Sequence, residues 1–560
     1  MKDPFKIFTS VREAYLRYLE SPFRLRYQAL MDKRRQLLDR VGQLDREPHF
    51  EPLAPYRLSG CNAMEAAREL GAHPDAGEFI VQNLFPPDGD GRHRELYAHQ
   101  METWRHSREG RSVVVTSGTG SGKTECYLIP IFAYLIERSM GAWATRCGTP
   151  PPDFWWNRQD GQWASQRAFE QGTRPTGMSA LMVFPLNALI EDQLGRIREA
   201  CDGQAARRWL HDRRGGHRIW FGRYNASTPL PGTLDNALQK DLLGRLKRME
   251  EEWIQAVRSA ELRRKPEILS FFQDPSGAEM WSRWDMQQTA PDILITNYSM
   301  LNIMLMRDVE DSIFEQTKDW LRSDRENNQF FLVVDELHSY RGTPGTEVGY
   351  LLRAFLSRIG LRPDSPQLRI IATSASIERD NPSSRTYLEQ FFGRDGASFE
   401  IIPGERVEFE AGDRRVAACA EQFAQFREDL DNPGCGEEDA VRNLRAGLSI
   451  EGTSASPQLV LDECLTAISA YEPIRTAGSP PATEIRPPSS PPATKFEIAA
   501  SIFGSQTERA VQAAEGLVRA AVLARRQQGD RLVAPLPLRM HLFFHNAGRL
   551  WACVNPDCPD

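Results

Sequence analysis

Apolar residues recur at helical spacing near the start of the chain, at Phe8, Val11, Tyr15, Tyr18 and Leu19, and again at Leu30, Leu37 and Leu38. A stripe of that period predicts amphipathic helices, so residues 1–90 are expected to form a helical N-terminal region. From about Arg92 the rhythm changes. Six short apolar runs, RSVVVT, SALMVF, HRIWFG, DILIT, FFLVVD and LRIIAT, alternate with longer helical segments as far as Ile377. Continuous apolar runs are how strands buried on both faces read, and their alternation with helices predicts an α/β domain with a doubly wound parallel sheet over 91–400. Two stretches read as insertions into it, the Trp-rich 140–178 and the charged helical 232–285. Residues 401–477 follow as an accessory region. The Pro/Ser/Thr-rich 478–494, GSPPATEIRPPSSPPAT, reads as an exposed linker. The remainder, 495–560, is expected to be a small helical unit ending in a zinc-type cysteine pair.

The strongest chemical signal is Ser117-Gly118-Thr119-Gly120-Ser121-Gly122-Lys123-Thr124. It follows the strand run at 113–116 and opens a helix through Tyr127, Ile131 and Leu135, the strand–loop–helix setting a phosphate loop needs. Its glycines let backbone N–H groups close around a phosphate, and the helix N-terminus adds a positive field. Lys123 is placed to reach the β and γ phosphates of ATP, and Thr124 to ligate Mg²⁺. Ser117 stands where the general pattern begins with Gly.

A second signal lies far downstream. The apolar run 330–334 ends in Asp335-Glu336-Leu337-His338. Carboxylates at the C-terminal end of a buried strand lie beside the phosphate loop in such sheets. Asp335 is expected to hold Mg²⁺, directly or through water, and Glu336 to orient and deprotonate the attacking water. His338 is expected to link the nucleotide site to the rest of the motor.

With both motifs in place, the chain resembles the superfamily 2 helicases, whose ATP-binding domain is RecA-like. Leu96-Tyr97-Ala98-His99-Gln100 resembles their adenine-reading segment, which makes Gln100 the implied adenine contact. Phe184-Pro185-Leu186-Asn187-Ala188-Leu189 is similar to motif Ia, so Pro185 and Asn187 are implied to grip a nucleic-acid backbone. Tyr224-Asn225-Ala226-Ser227-Thr228 stands where motif Ib has a Thr-Gly element; Ala226 replaces the Gly, and Thr228 is the implied contact. Ile295-Thr296-Asn297-Tyr298 resembles motif Ic, which points to Thr296 and Asn297. Ser374-Ala375-Ser376 resembles the Ser-Ala-Thr motif III, with a hydroxyl kept at Ser376, and implies that Ser374 and Ser376 couple the nucleotide to domain movement.

Two features narrow the likeness. His338-Ser339-Tyr340-Arg341-Gly342 extends the acidic box, and the N-terminal region reads Tyr18-Leu19-Glu20-Ser21-Pro22-Phe23. Both resemble the large bacterial DExH helicases related to the MrfA repair helicase, among them those of Druantia phage defence. The likeness covers most of 1–377 and the last twenty residues. It implies an ATP-dependent helicase or translocase working on nucleic acid, DNA in preference to RNA, with 3′ to 5′ movement and defence-system partner proteins. A translocase of restriction or remodelling type would use the same motifs. A nucleotide-gated scaffold subunit without its own ATPase is the reading from another class.

A motor of this kind closes two RecA-like domains on ATP, the second supplying arginines. Gln390-Phe391-Phe392-Gly393-Arg394 fits half of that arginine motif but leaves no room for the strands that precede it, so it is read as closing the last helix of the first domain. Residues 395–560 show no second domain, and the chain alone is therefore expected to bind ATP without turning it over. Cys553 and Cys558 read as half of a four-ligand Zn²⁺ site. In the resembling helicases a Trp-Ala-Cys segment is followed by more cysteines and a second motor domain, which implies that this chain is an N-terminal portion. His541 and His545 are read as solvated or core histidines. Arginines around Trp209 are read as a solvated helix end, and Trp143, Trp155, Trp156 and Trp163 as local packing.

Composition adds little. The 560 residues carry a net charge of −7, so nothing global marks a nucleic-acid binder, although a local basic groove escapes such a count. No run of about 20 apolar residues suggests a membrane span. The charged start lacks a signal peptide's apolar centre, and nine scattered cysteines fit a reduced, cytoplasmic protein.

Overall fold

The six apolar runs become neighbours in one sheet. The computed structural model describes residues 3–20, 27–40, 42–53, 56–86, 93–118, 121–158, 162–170, 172–229, 236–405, 415–452, 454, 456–477, 492–528 and 531–545. In it the runs form β1 (Ser112–Thr116), β2 (Ala180–Phe184), β3 (Phe221–Tyr224), β4 (Ile293–Asn297), β5 (Phe330–Val334) and β6 (Leu368–Ser374). A seventh strand that the apolar pattern did not mark, β7 (Phe399–Pro403), completes the sheet. The order is β7-β1-β6-β5-β2-β4-β3, and every neighbouring pair is parallel. β2, β5 and β6 are buried along their whole length, as strands covered by helices on both faces must be. This is a RecA-like, doubly wound sheet.

Among the covering helices are α1 (Ala98–Arg108), α2 (Lys123–Ala142), α3 (Asn187–Ile197), α4 (Gln204–Arg214), α5 (Asn236–Arg263), α6 (Tyr298–Met306) and α7 (Gly342–Arg358). α2 is apolar nearly all round, with Tyr127, Leu128, Ile129, Ile131 and Phe132 buried. Burying each such side chain contributes roughly 1.5–3 kcal/mol, which pins the helix, and the loop at its head, to the sheet.

The chain divides into two compact units, Tyr56–Glu405 and a smaller one made of Met1–Pro55 with Arg406–Asp560. The contact boundary thus falls before, rather than at, residue 90. Helices at Ala63–Glu69 and Pro74–Asn83 bury Ala63, Phe79 and Ile80 in the same core as β2. Helical periodicity identifies an apolar face but not what that face packs against. In the first helix, Pro4–Glu20, Val11 and Tyr18 of the expected stripe are exposed, and Leu16 instead packs with Leu38 and Leu44.

The smaller unit holds helices Ala420–Asp431, Glu437–Gly447, Pro457–Ala467, Lys495–Phe503 and Glu508–Leu523 around Phe423, Leu461 and Leu517. A three-stranded antiparallel sheet joins Ala493–Thr494, His49–Pro52 and Leu538–His541. The stretch read as a linker therefore ends in a strand at 493–494, while 478–491 lie outside the described residues. Among the described residues, no helix is long and apolar enough to cross a membrane.

The two insertions share a core of their own. Trp155 and Trp156 pack with Trp281, Trp284, Leu242 and Leu246, the leucines standing on α5. Trp156 stacks on Phe154 at 4.4 Å and donates its Nε1–H to Glu250 at 2.8 Å. Three of the arginines around Trp209 are paired, and Arg208 is exposed. Arg207 pairs with Asp202 and Asp274, Arg213 with Glu78, and Arg214 with Asp75, while Trp209 is buried against Phe79.

Candidate functional site

The C-terminal ends of β1, β5 and β6 bring the phosphate loop and the acidic box together. Ser117 hydrogen-bonds through its N–H to the Ser374 carbonyl at 3.3 Å, which ties the loop to β6. Ser117 and Ser121 hydroxyls lie 2.6 Å apart across the loop's base. Gly118 leads into Thr119 and Gly120, which lie outside the described residues. Gly122 has φ +72°, a left-handed conformation that costs glycine nothing, and it opens α2 directly at Lys123. Thr124 sits in the first turn, nearly buried.

Across from the loop, Lys123 Nζ lies 3.2 Å from Glu336 Oε1. His338 Nδ1 lies 3.1 Å from Glu336 Oε2 and 3.5 Å from the Ala375 N–H. The nitrogen cannot donate to one and accept from the other at once. The Ala375 N–H can only donate, so Nδ1 accepts there and meets Glu336 Oε2 as a close neighbour, not as a donor. Glu336 itself holds φ +50°, a conformation that strains any residue with a Cβ.

Thr373 supports both carboxylates. Its hydroxyl donates to Asp335 Oδ1 in a short hydrogen bond and accepts the Glu336 N–H at 3.1 Å. Burial pushes the Asp335 carboxyl above its ordinary pKa, with Glu336 adding to the shift; the Thr373 bond and Lys123 pull the other way. The apolar run LRIIAT included Thr373 only as a strand residue, and a threonine at the end of a buried strand carries no signal of this role.

Gln100 and His99 reach the loop from α1. Gln100 Oε1 accepts the Tyr97 N–H at 3.0 Å, and its Nε2 donates to the Gly122 carbonyl at 3.1 Å. His99 Nε2 meets the Ser121 carbonyl at 2.8 Å, and its ring stacks on Tyr97 at 5.4 Å. Gln100 thus fixes the loop, a role that sequence reasoning, with its eye on adenine, did not assign. Ser374 is fully buried and its Oγ accepts the Ser376 N–H at 3.3 Å; Ser376 Oγ takes a short hydrogen bond from Arg341. The 374–376 segment therefore touches the phosphate loop through Ser117 and the extended acidic box through His338 and Arg341.

The ends of β2, β3 and β4 carry the other expected contacts. Asn187 Oδ1 accepts from Asn297 Nδ2 at 2.7 Å and from Asn225 Nδ2 at 3.5 Å. Asn187 is exposed at the head of α3, with Pro185 half-buried before it, and Asn297 caps α6 by accepting the Met300 N–H at 2.7 Å. Thr228 and Thr296 are buried, and their hydroxyls donate to the backbone carbonyls of Arg223 at 2.8 Å and Tyr224 at 2.6 Å. They shape the loops, and the asparagines face outward. Cys553 and Cys558 lie outside the described residues; His541 Nε2 lies 2.9 Å from Glu51 Oε2, and the His545 N–H donates to the Leu44 carbonyl.

The DEAD/DEAH box helicase family matches residues 97–220, which run from Gln100 through the phosphate loop to the end of α4 and beyond. That stretch, with the phosphate loop inside it, is what the chain shares with DEAD/DEAH box helicases. Over 98% of its length it is 27% identical to the Druantia protein DruE of Escherichia coli (strain UMEA 4076-1), and this match spans 30% of DruE. A second relative, the uncharacterized ATP-dependent helicase MJ1574 of Methanocaldococcus jannaschii, is 21% identical over 55% of the chain and 28% of that protein. The chain thus spans under a third of the curated relatives it matches. Among solved structures, the DUF1998 helicase MrfA bound to DNA is similar over 75% of this chain and 44% of that one, at 17% identity and a TM-score of 0.33. The DEAD-box helicase Mss116 bound to ssRNA and UDP-BeF is similar over 67% and 53%, at 13% identity and a TM-score of 0.33.

Proposed function

We propose that this chain is the ATP-binding half of a helicase or translocase motor, acting on DNA in preference to RNA and serving phage defence, a reading supported by its similarity to the Druantia protein DruE. The observation that carries the reading is the 3.2 Å contact between Lys123 and Glu336. It supports the reading because a phosphate-binding cation and a carboxylate base must lie side by side to act on one γ-phosphate.

In this reading the γ-phosphate takes Lys123, and Glu336 is released to accept a proton from the attacking water. His338 holds the freed carboxylate in line. Gln100 and His99 keep the loop closed, and the Gln100 amide, with two N–H bonds and one committed to Gly122, offers the other to adenine. The oxygen donors of Thr124 and Asp335 suit a hard cation, so they are the residues to hold Mg²⁺. That ion supplies charge neutralisation on the phosphates. The exposed Asn187 and the half-buried Asn297 stand at the heads of α3 and α6, whose N-termini favour anions, and are the candidate grip on a nucleic-acid backbone. Turnover at speed would further need arginines from a second motor domain, worth roughly 10³–10⁵ in rate.

Lys123→Ala tests the reading. Removing one partner of a close charge contact costs about 2–5 kcal/mol, so ATP affinity, measured by calorimetry on the 560-residue chain, should fall by about 30-fold or more. Unchanged affinity would sink the assignment.

A further inference from the structure

Away from the nucleotide, three segments of the larger unit are laced together. The Ala144 N–H donates to the Thr173 carbonyl at 2.8 Å, the Cys147 N–H to the Gly215 carbonyl at 3.2 Å, and the Gly148 N–H to the Phe169 carbonyl at 3.1 Å. Glycines permit this. A Cβ at Gly215 would collide with the Thr145 carbonyl, and one at Gly216 would press on Cys147 Sγ at 3.1 Å; both hold left-handed conformations. The lacing places Cys147, Glu170 and His217 side by side, with their ligand-type atoms all within 4.8 Å of one another.

His217 is fully buried, and its two nitrogens differ. Nε2 lies 3.0 Å from the Ala144 carbonyl, which can only accept, so Nε2 carries a proton. In the neutral ring Nδ1 is then a bare lone pair. It has no hydrogen bond, and it faces Glu170 Oε1 at 3.8 Å. Glu170 is in turn oriented from behind. Its Oε1 accepts the Arg218 N–H at 2.9 Å, and its Oε2 accepts from Trp220 Nε1 at 2.8 Å and lies 3.5 Å from Arg167. The Cys147 thiol donates to the Gly215 carbonyl at 3.4 Å, which holds its sulfur beside the bare lone pair and the carboxylate.

We propose that Cys147 Sγ, Glu170 Oε1 and His217 Nδ1 form a zinc-class metal site that staples the start of the first insertion to the turn leading into β3. A soft thiolate, a borderline imidazole and a hard carboxylate are all ligands that zinc accepts, at about 2.0–2.3 Å, which puts them roughly 3.3–3.8 Å apart around a tetrahedral ion. Closing from the present spacing takes about 1 Å or less, and water completes the fourth position. The Ala144 carbonyl on Nε2, and Arg218 and Trp220 on Glu170, are the outer partners that orient such ligands. Binding releases the Cys147 proton to solvent, and the ion's two charges balance the thiolate and carboxylate.

The test uses the 560-residue chain with Cys553→Ser and Cys558→Ser, so that the C-terminal pair cannot contribute. It is stripped with chelator, reloaded with Zn²⁺ or Co²⁺ and freed of excess. One ion per chain should remain, and the cobalt form should show a thiolate-to-cobalt charge-transfer band. Adding Cys147→Ser should abolish that band, and His217→Gln should weaken affinity by at least about 100-fold. Should His217→Gln fail to fold, alkylation mapped by peptide mass gives a second readout. Zn²⁺ should slow modification of Cys147 by about 10-fold or more relative to the stripped chain. No retained ion and no protection would overturn the proposal and leave an imidazolium–carboxylate pair. A cobalt spectrum indifferent to Cys147→Ser would overturn it equally.

Discussion

The two ends of the same sheet edge are built from different chemistry. Where β1, β5 and β6 end, carboxylates are closely held: Lys123 pairs with Glu336, His338 lies beside it, and the Thr373 hydroxyl donates to Asp335. Where β2, β3 and β4 end, amides predominate: Asn187, Asn225 and Asn297 form a cluster, and Thr228 and Thr296 turn inward to the backbone, although β3 also carries Arg223 in an ion pair with Glu191. Charge that must be rearranged during a reaction is held by opposite charge until it is needed. A surface meant for a sliding backbone gains from weak, neutral, exchangeable contacts and from helix N-termini that attract phosphate without pairing to it.

The sharpest way to break this contrast is at Glu336. Glu336→Gln keeps the shape and the His338 neighbour but removes the proposed base, and should lower nucleic-acid-stimulated ATPase, measured with a second motor domain supplied, by about 10²–10⁴-fold. ATP binding should persist, and a steady-state ATPase assay beside calorimetry separates the two. Near-parental turnover would move the base elsewhere.

Thr373→Val probes the support beneath the charged end. Hydrogen bonds to charged groups are worth about 1.5–3 kcal/mol, so Mg·ATP affinity should fall about 10-fold or more. The Thr373 bond lowers the Asp335 pKa, so its loss raises that pKa further. Metal needs the ionised carboxylate. The acid limb of Mg²⁺-dependent binding should therefore move to higher pH in the variant, and an unmoved limb would remove Asp335 from the metal site.

The mildest effect belongs to the amide end. Asn187→Ala loses the Asn297 amide contact, worth about 0.5–1.5 kcal/mol. Affinity for a fluorescent single-stranded DNA should drop a few-fold, with ATP affinity unchanged. An effect on ATP as large as on DNA would erase the distinction between the two ends.

Much of this was legible in the sequence, and the misses have physical causes. Six strands announced themselves because strands buried on both faces must be apolar throughout. β7 escaped because Glu400 and Pro403 interrupt its apolar residues and leave no continuous run to read. The phosphate loop and acidic box stand out because backbone closure and catalysis restrict residue type at fixed positions. Thr373 and His99 did not, since a hydroxyl or imidazole that works through one hydrogen bond leaves no spacing to read. The same holds for Cys147, Glu170 and His217, which only the fold brings together.

The tryptophan core has a bearing on how such a chain can vary. Trp155 and Trp156 come from one insertion, and Leu242, Leu246, Trp281 and Trp284 from the other. Excising either would leave the other's aromatic face in water, with no hydrophobic partner nearer than the one removed. The two segments, although far apart in sequence, are thus a single heritable module: gained, shortened or exchanged together, and a poor place to graft from a relative one at a time.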